Sequence, residues 1–196
     1  MPREPRHLKV TQDQYFKAAL SQLAAQGAEG LTISWLCRAL GVTSGSFYHY
    51  FGGWAGFVEA LLTHWEAEQT QRIVELARAA ADPEQRLDVL RQQATDLPHD
   101  AEAAIRAWGR GEERVSQTQQ RVDARRHAAL LAIVSDLGVR PEDAERLATT
   151  GMALLVGMQQ LQRPVDIDML GAVFDELGRT IRDYAGRAAS SRSESV

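Results

Sequence analysis

Two short apolar-faced segments, Thr32–Leu40 and Ser44–Tyr50, are separated by only Gly41-Val42-Thr43. Leu36, Ala39 and Leu40 share one face of the first when it is wound as a helix, and Phe47 and Phe51, four apart, share one face of the second. The three-residue link is a tight turn, and Leu40, Val42, Phe47 and Phe51 are spaced to pack the two helices together. This is a helix-turn-helix pattern with glycine in the turn. With Phe47 and Phe51 turned inward, Ser44, Gly45, Tyr48 and His49 face outward and Ser46 lies at the flank. A short exposed helix with small polar residues first and aromatic hydrogen-bonders next suits the major groove of duplex DNA.

The remainder reads as helix almost throughout, with no convincing period-two strand, so the predicted fold class is all-α with about nine helices. A first helix over 11–26 carries Tyr15, Ala18, Ala19, Leu23 and Ala24 on one stripe, with Thr11 as N-cap and Gly27 at its end. Ser44 caps the third helix. A long fourth helix, about 54–80, is lined by Phe57, Val58, Leu61, Leu62, Trp65, Ile73 and Leu76. Asp82-Pro83 opens a fifth, Asp100 caps a sixth, and the seventh spans about 113–137. Pro141, followed by Glu142 and Asp143, starts an eighth to about Leu161. Asp166 or Asp168 caps a ninth to about Tyr184. Residues 186–196 are small and polar and read as a disordered tail.

Leu147, Met152, Leu154, Leu155, Val156, Met158 and Leu161 surround much of the eighth helix, while Ile167, Leu170, Val173, Phe174, Leu177 and Ile181 stripe the ninth. A helix apolar over much of its circumference is buried on more than one side. The second side is either a covered monomer core or, as expected here, a second subunit.

The 196 residues, 44% hydrophobic and 24% charged, are enough for a core without staples, since a chain of this length buries roughly 70% of its unfolded surface. One cysteine, Cys37, excludes an internal disulfide and a Cys-rich zinc site. It fits a reducing compartment and is expected to be a buried, inert thiol. No run of about 18 apolar residues spans a membrane, and Met1–Val10 lacks the apolar centre of a secretory signal, so a cytoplasmic location is expected. The charge is uneven. Residues 1–53 hold five Lys/Arg against three acids, +2 within a chain of net −4, which leaves −6 for the rest. Arg3, Arg6 and Lys9 form a basic arm, either a solvated tail or a minor-groove contact.

Enzyme signatures are missing from the sequence. His7, His49, His64, His99 and His127 fall in no metal-ligand spacing, and there is no nucleophile elbow or phosphate loop. No catalytic residue, metal or cofactor is expected.

Residues 13–65 resemble the DNA-binding domain of the TetR/AcrR family of transcriptional regulators. The stretch GAEGLTISWLCRALGVTSGSFYHYF carries the likeness: the glycine before the second helix, the Leu31-Thr32-Ile33 entry, the Gly41-Val42-Thr43 turn and the Phe47–Phe51 aromatic run. The resemblance implies that Ser44, Gly45 and Ser46 meet base edges and that Tyr48 and His49 meet phosphates and bases. It makes Thr32 a phosphate-contacting hydroxyl, puts Thr43 in the same surface, and gives Tyr50 a role split between packing and backbone contact. For Tyr48 core packing, and for His49 simple solvation, are the alternatives. Where the family usually has a basic residue at the start of the fourth helix, this chain has Trp54, either a missing phosphate contact or a packing residue.

Residues 66–185 resemble the family's sensor region more loosely, through Asp123, Arg125, Arg126 and Leu130, then Gly138, Pro141 and the apolar eighth helix. By that analogy a ligand pocket lies between the fourth to eighth helices, with Trp65, Trp108, His127, Met152, Leu155 and Gln159 as candidate lining. The expected organisation is a basic arm and helix-turn-helix domain over 1–53, a ligand-sensing and dimerisation domain over 54–185, and the tail. The expected function is a repressor binding a palindromic double-stranded DNA operator as a homodimer through the eighth and ninth helices. An unknown small-molecule effector would release it through the long fourth helix. The alternative is a helical small-molecule-binding protein or adaptor that has lost DNA binding, favoured by Trp54 and the acidic balance.

Overall fold

The computed structural model describes residues 10–68, 75, 79, 80 and 82–193. Among them are nine α-helices and no strand. They are α1 (Gln12–Gln26), α2 (Ile33–Leu40), α3 (Ser44–Phe51), α4 (Trp54–Glu66), α5 (Pro83–Thr95), α6 (His99–Trp108), α7 (Glu113–Asp136), α8 (Pro141–Leu161) and α9 (Ile167–Ser193).

α1 starts on a capping box: the Thr11 hydroxyl accepts from the Gln14 amide at 3.3 Å and the Gln14 side chain accepts from the Thr11 amide at 2.8 Å. Thr32 caps α2 through Trp35 N–H, and Asp82 caps α5 through Gln85 N–H, with Pro83 at the first helical position. Gly41 ends α2 at φ 65°, ψ 34°, the left-handed region that lets three residues turn the chain into α3. Gly56 serves a different need. A Cβ there would lie 2.1 Å from the Phe51 carbonyl oxygen, so only glycine lets α4 start directly against the end of α3.

Some expected boundaries shift. Thr43, not Ser44, occupies the N-cap position of α3, and its hydroxyl makes no capping bond. α6 begins at His99, with Asp100 inside its first turn, because Pro98 already sets the entry. The expected disordered tail is helical as far as Ser193, where Ser190 Oγ bonds back to the Gly186 carbonyl at 3.1 Å. The Arg187 guanidinium lies over the Tyr184 ring at 5.2 Å. The basic arm and the stretch of the fourth helix with Ile73 and Leu76 lie outside the described residues.

One core joins α1–α4 to α6 and α7: Tyr15, Phe16, Leu23, Phe47, Phe57 and Trp65 pack with Ile105, Val115 and Val122. α6 is buried on nearly every side, with Ala101–Ile105 all inside. It lies between α1 and the remaining bundle, where α5, α7, α8 and α9 enclose two further apolar clusters. The stripe on α9 is used mostly within the protomer: Leu170, Phe174 and Ile181 are buried there. At the α8–α9 connection the apolar residues Leu161 (80% exposed), Ile167 and Met169 stay open to solvent.

Candidate nucleic-acid interface and ligand cavity

α3 is held from behind by rings. Phe47 is fully buried and Phe51 nearly so, and both pack on Tyr15 and Phe57. That anchoring fixes which residues point out. Thr43, Ser44, Gly45, Tyr48 and His49 are exposed, Tyr48 by 53%. A Cβ on Gly45 would meet only the Thr43 hydroxyl, at 3.7 Å, so the middle of this face is open to close approach. Ser46 sits at the flank, half-buried, its Oγ accepting from the Tyr15 hydroxyl at 3.4 Å. Burial pushes the Tyr15 phenol up, against the pull of that hydrogen bond. Tyr50 is half-buried and edge-on to Tyr15 at 6.0 Å, and its carbonyl accepts from Gln12 Nε2. Thr32 is exposed, with Oγ1 engaged by Trp35 N–H at 3.1 Å.

The same surface is poor in cations. Between residues 10 and 66 the only Lys and Arg are Lys17 and Arg38. Lys17 is paired with Asp13 at 2.8 Å, a hydrogen bond that raises the lysine and lowers the acid. Trp54 opens α4 with 37% exposure and its ring tilted on Phe57 at 5.5 Å. Cys37 lies on the buried face of α2, and desolvation pushes its thiol up.

A second feature lies in the bundle. α5, α7, α8 and α9 form a cavity of about 110 Å³ that is partly open to solvent. Of the residues expected to line a pocket, Met152 and Leu155 do so. The other four are placed elsewhere. Trp65 is fully buried in the core beneath α1, and Trp108 packs against that core, as large aromatics on helices that meet α1 must. His127 is on the outer side of α7 and α8, with Nε2 3.2 Å from Thr149 Oγ1 and 3.5 Å from the Glu145 carboxylate. Gln159 is buried in a polar network instead.

That network was not read from the sequence. Glu102 of α6 (1% exposed) receives both terminal nitrogens of Arg126 of α7, at 2.8 and 2.5 Å. Gln159 Nε2 donates to Glu102 at 3.0 Å and lies 3.3 Å from His99 Nδ1, while His99 Nε2 faces the Thr95 carbonyl at 3.0 Å. Desolvation pulls the Arg126 guanidinium down, but the charge and hydrogen bonds of Glu102 outweigh it and hold it above its ordinary value. Arg126 also forms part of the cavity wall. Neighbouring pairs tie α7 to the other helices that reach the N-terminal core: Arg121 and Arg125 to Glu66 of α4, and Arg106 of α6 to Asp123. Glu102 and Gln159 are 57 residues apart, so no local pattern shows their meeting. Among the described residues no group of three His, Cys, Asp or Glu side chains is placed to hold a metal ion.

A three-helix head with an exposed third helix, set on a helical bundle with a cavity between its helices, has the architecture of a DNA-binding regulator. Residues 16–61 match the family model of bacterial regulatory proteins, tetR family. Among curated proteins none matches the chain. Solved structures extend the likeness of fold to most of the chain. One is a protein from Rhodococcus sp. assigned to the TetR-family transcriptional regulators: TM-score 0.73, 18% identity, covering 87% of this chain and 98% of that one. A transcriptional regulator from Saccharomonospora viridis, in complex with choline, has TM-score 0.71 and 17% identity over 84% of this chain and 93% of that one. The regulator FadR from Bacillus subtilis, in complex with stearoyl-CoA, has TM-score 0.65 and 14% identity over 87% and 97%.

Proposed function

We propose that this chain is a ligand-responsive transcriptional repressor that acts in the cytoplasm on double-stranded DNA. The outward face of α3 carries the reading: small and polar first, aromatic next, backed by a rigid ring stack. Ser44, Gly45 and Ser46 read base edges, Tyr48 and His49 reach phosphates and bases, and Thr32, Thr43 and Tyr50 set the register. Two protomers joined through α8 and α9, where Leu161, Ile167 and Met169 lie open, hold their α3 helices about 34–36 Å apart over a palindromic operator.

The effector site is the cavity between α5, α7, α8 and α9. Proteins of the same fold carry choline and stearoyl-CoA, which supports a sensor role for the bundle. Arg126 forms part of the cavity wall and grips Glu102 on α6, whose Ala104 and Ile105 pack into the core of the head. A guest that favours one setting of this pair shifts the orientation of the head by its differential affinity for the two states.

Selection of duplexes from a random pool by the purified protein, followed by gel shift across a salt series, tests this reading. The expected result is a palindromic consensus bound by two protomers, with affinity falling as salt rises. A pool from which no sequence is enriched would overturn it in favour of a helical small-molecule-binding protein or adaptor without DNA binding.

A further inference from the structure

We infer that the cavity between α5, α7, α8 and α9 takes a compact, uncharged apolar molecule of about one aromatic ring in bulk. The inference deepens the effector reading above and rests on it for its regulatory meaning, though not for the binding itself.

Size comes first. At about 110 Å³ the cavity is on the scale of apolar protein cavities of roughly 150 Å³ that stay dry and admit benzene. The inner wall is Leu90 of α5, Leu97 in the link after it, Leu130 of α7, Leu155 of α8, and Phe174 and Leu177 of α9. No Ser, Thr, Asn, Gln, Tyr or His contributes to the lining. A polar but neutral guest would therefore give up its hydrogen bonds to water and find no neutral side-chain partner in exchange.

Charge comes second. The lining does include charged residues, but each is already engaged. Arg91 is 3.3 Å from Asp175, and Arg182 bonds Glu84 at 2.7 Å and Asp88 at 3.0 Å. Arg126 is held by Glu102. An anionic guest could recruit an arginine only by drawing it from its carboxylate, and a cationic guest only by the converse. Either exchange leaves a partner stranded, in the Arg126 case one almost wholly buried. A neutral apolar guest asks for neither and removes its own surface from water.

The test is a charge series on one ring: toluene, benzoate and benzylammonium, titrated at pH 7 into the full-length protein and followed by calorimetry and by the methyl resonance of Met152, which lines the cavity. Toluene is expected to bind saturably, to shift the Met152 methyl, and to have a Kd at least tenfold below those of the two ions. Ala94→Leu, which adds bulk to the wall, is expected to weaken toluene at least tenfold. The charge series on the unaltered protein decides the matter whether or not that variant folds. Benzoate or benzylammonium binding as tightly as toluene, toluene leaving Met152 unmoved, or no binding by any of the three would overturn the inference. The same titrations with a selected duplex present separate it from the effector reading. Toluene that binds without releasing DNA upholds the ligand class and sinks the regulatory role. An ion that binds at Met152 and releases DNA does the reverse.

Discussion

Around Tyr15 the N-terminal core is a stack of rings, with Phe47, Tyr50 and Phe51 at 5.3–6.0 Å in edge-on geometry, whereas the bundle from α5 to α9 is walled by leucines and crossed by ion pairs. Flat rings have few good ways to pack, so the head offers α3 essentially one orientation. The bundle holds a leucine-walled cavity, and the buried Arg126–Glu102 pair joins that wall to α6. On the function proposed above, the ring-packed region is the one that reads a sequence and the cavity-bearing region the one that takes a guest.

The largest effect is expected at the buried pair. Arg126→Met leaves the Glu102 carboxylate buried without its cation and should lower unfolding free energy by about 3–5 kcal/mol, measured by urea denaturation. Removing both charges, Glu102→Met with Arg126→Met, should recover most of that loss, because no stranded charge remains. A single variant within about 1 kcal/mol of the parent would mean that the ion pair does not hold the bundle, and the contrast with the ring-packed head would collapse.

Glycine substitutions sharpen the same contrast with opposite signs. Gly56→Ala places a methyl 2.1 Å from the Phe51 carbonyl, and the α3–α4 junction must open to accept it. The expected cost is about 1–3 kcal/mol in thermal unfolding, with a parallel loss of DNA affinity because α3 tilts. Gly186→Ala, in α9 with open space around it, should instead stabilise by about 0.5–1 kcal/mol through helix propensity. A stabilising response at Gly56 as well would show that the α3–α4 junction has room for a side chain.

The head was legible in the sequence because its determinants are local. A three-residue turn with glycine, two phenylalanines four apart and a threonine cap settle α2 and α3 within about twenty residues, and the structure keeps Ser44, Gly45, Tyr48 and His49 on the outside. The cavity was legible only in Met152 and Leu155. Its walls come from four helices and from residues as distant as Leu87 and Arg182, so they are set by packing and not by spacing. Large aromatics drew attention to Trp65 and Trp108, yet bulk at helical spacing marks core as readily as pocket, and both serve the core beneath α1. The ninth-helix stripe was visible, but which side of it turns inward depends on α5, whose Leu87 and Leu90 cover it.

Tyr48→Phe probes the head alone. The ring stays and the exposed hydroxyl goes, so the unfolding midpoint should not move. Affinity for a selected duplex should fall by about 1 kcal/mol, roughly fivefold, if the hydroxyl reaches a phosphate or base. Unchanged affinity in gel shift would reduce Tyr48 to a surface ring and shift the reading to Ser44 through Ser46.

The smallest effect concerns Trp54, and it asks whether the shortage of cations is a real property of the interface. Binding that neutralises few phosphates releases few counterions, so the slope of log affinity against log salt should be shallow for a head whose described cations are Lys17, already paired, and Arg38. Trp54 stands at the first turn of α4, next to the α3 face, with more than a third of its surface free. Trp54→Lys replaces ring packing on Phe57 by a mobile cation at that place. If the start of α4 lies along the phosphate backbone, the slope steepens by about 0.9, one more counterion released, and affinity at low salt rises. If the slope is unchanged while stability drops slightly, Trp54 is a packing residue, and the start of α4 adds nothing to the electrostatics of binding.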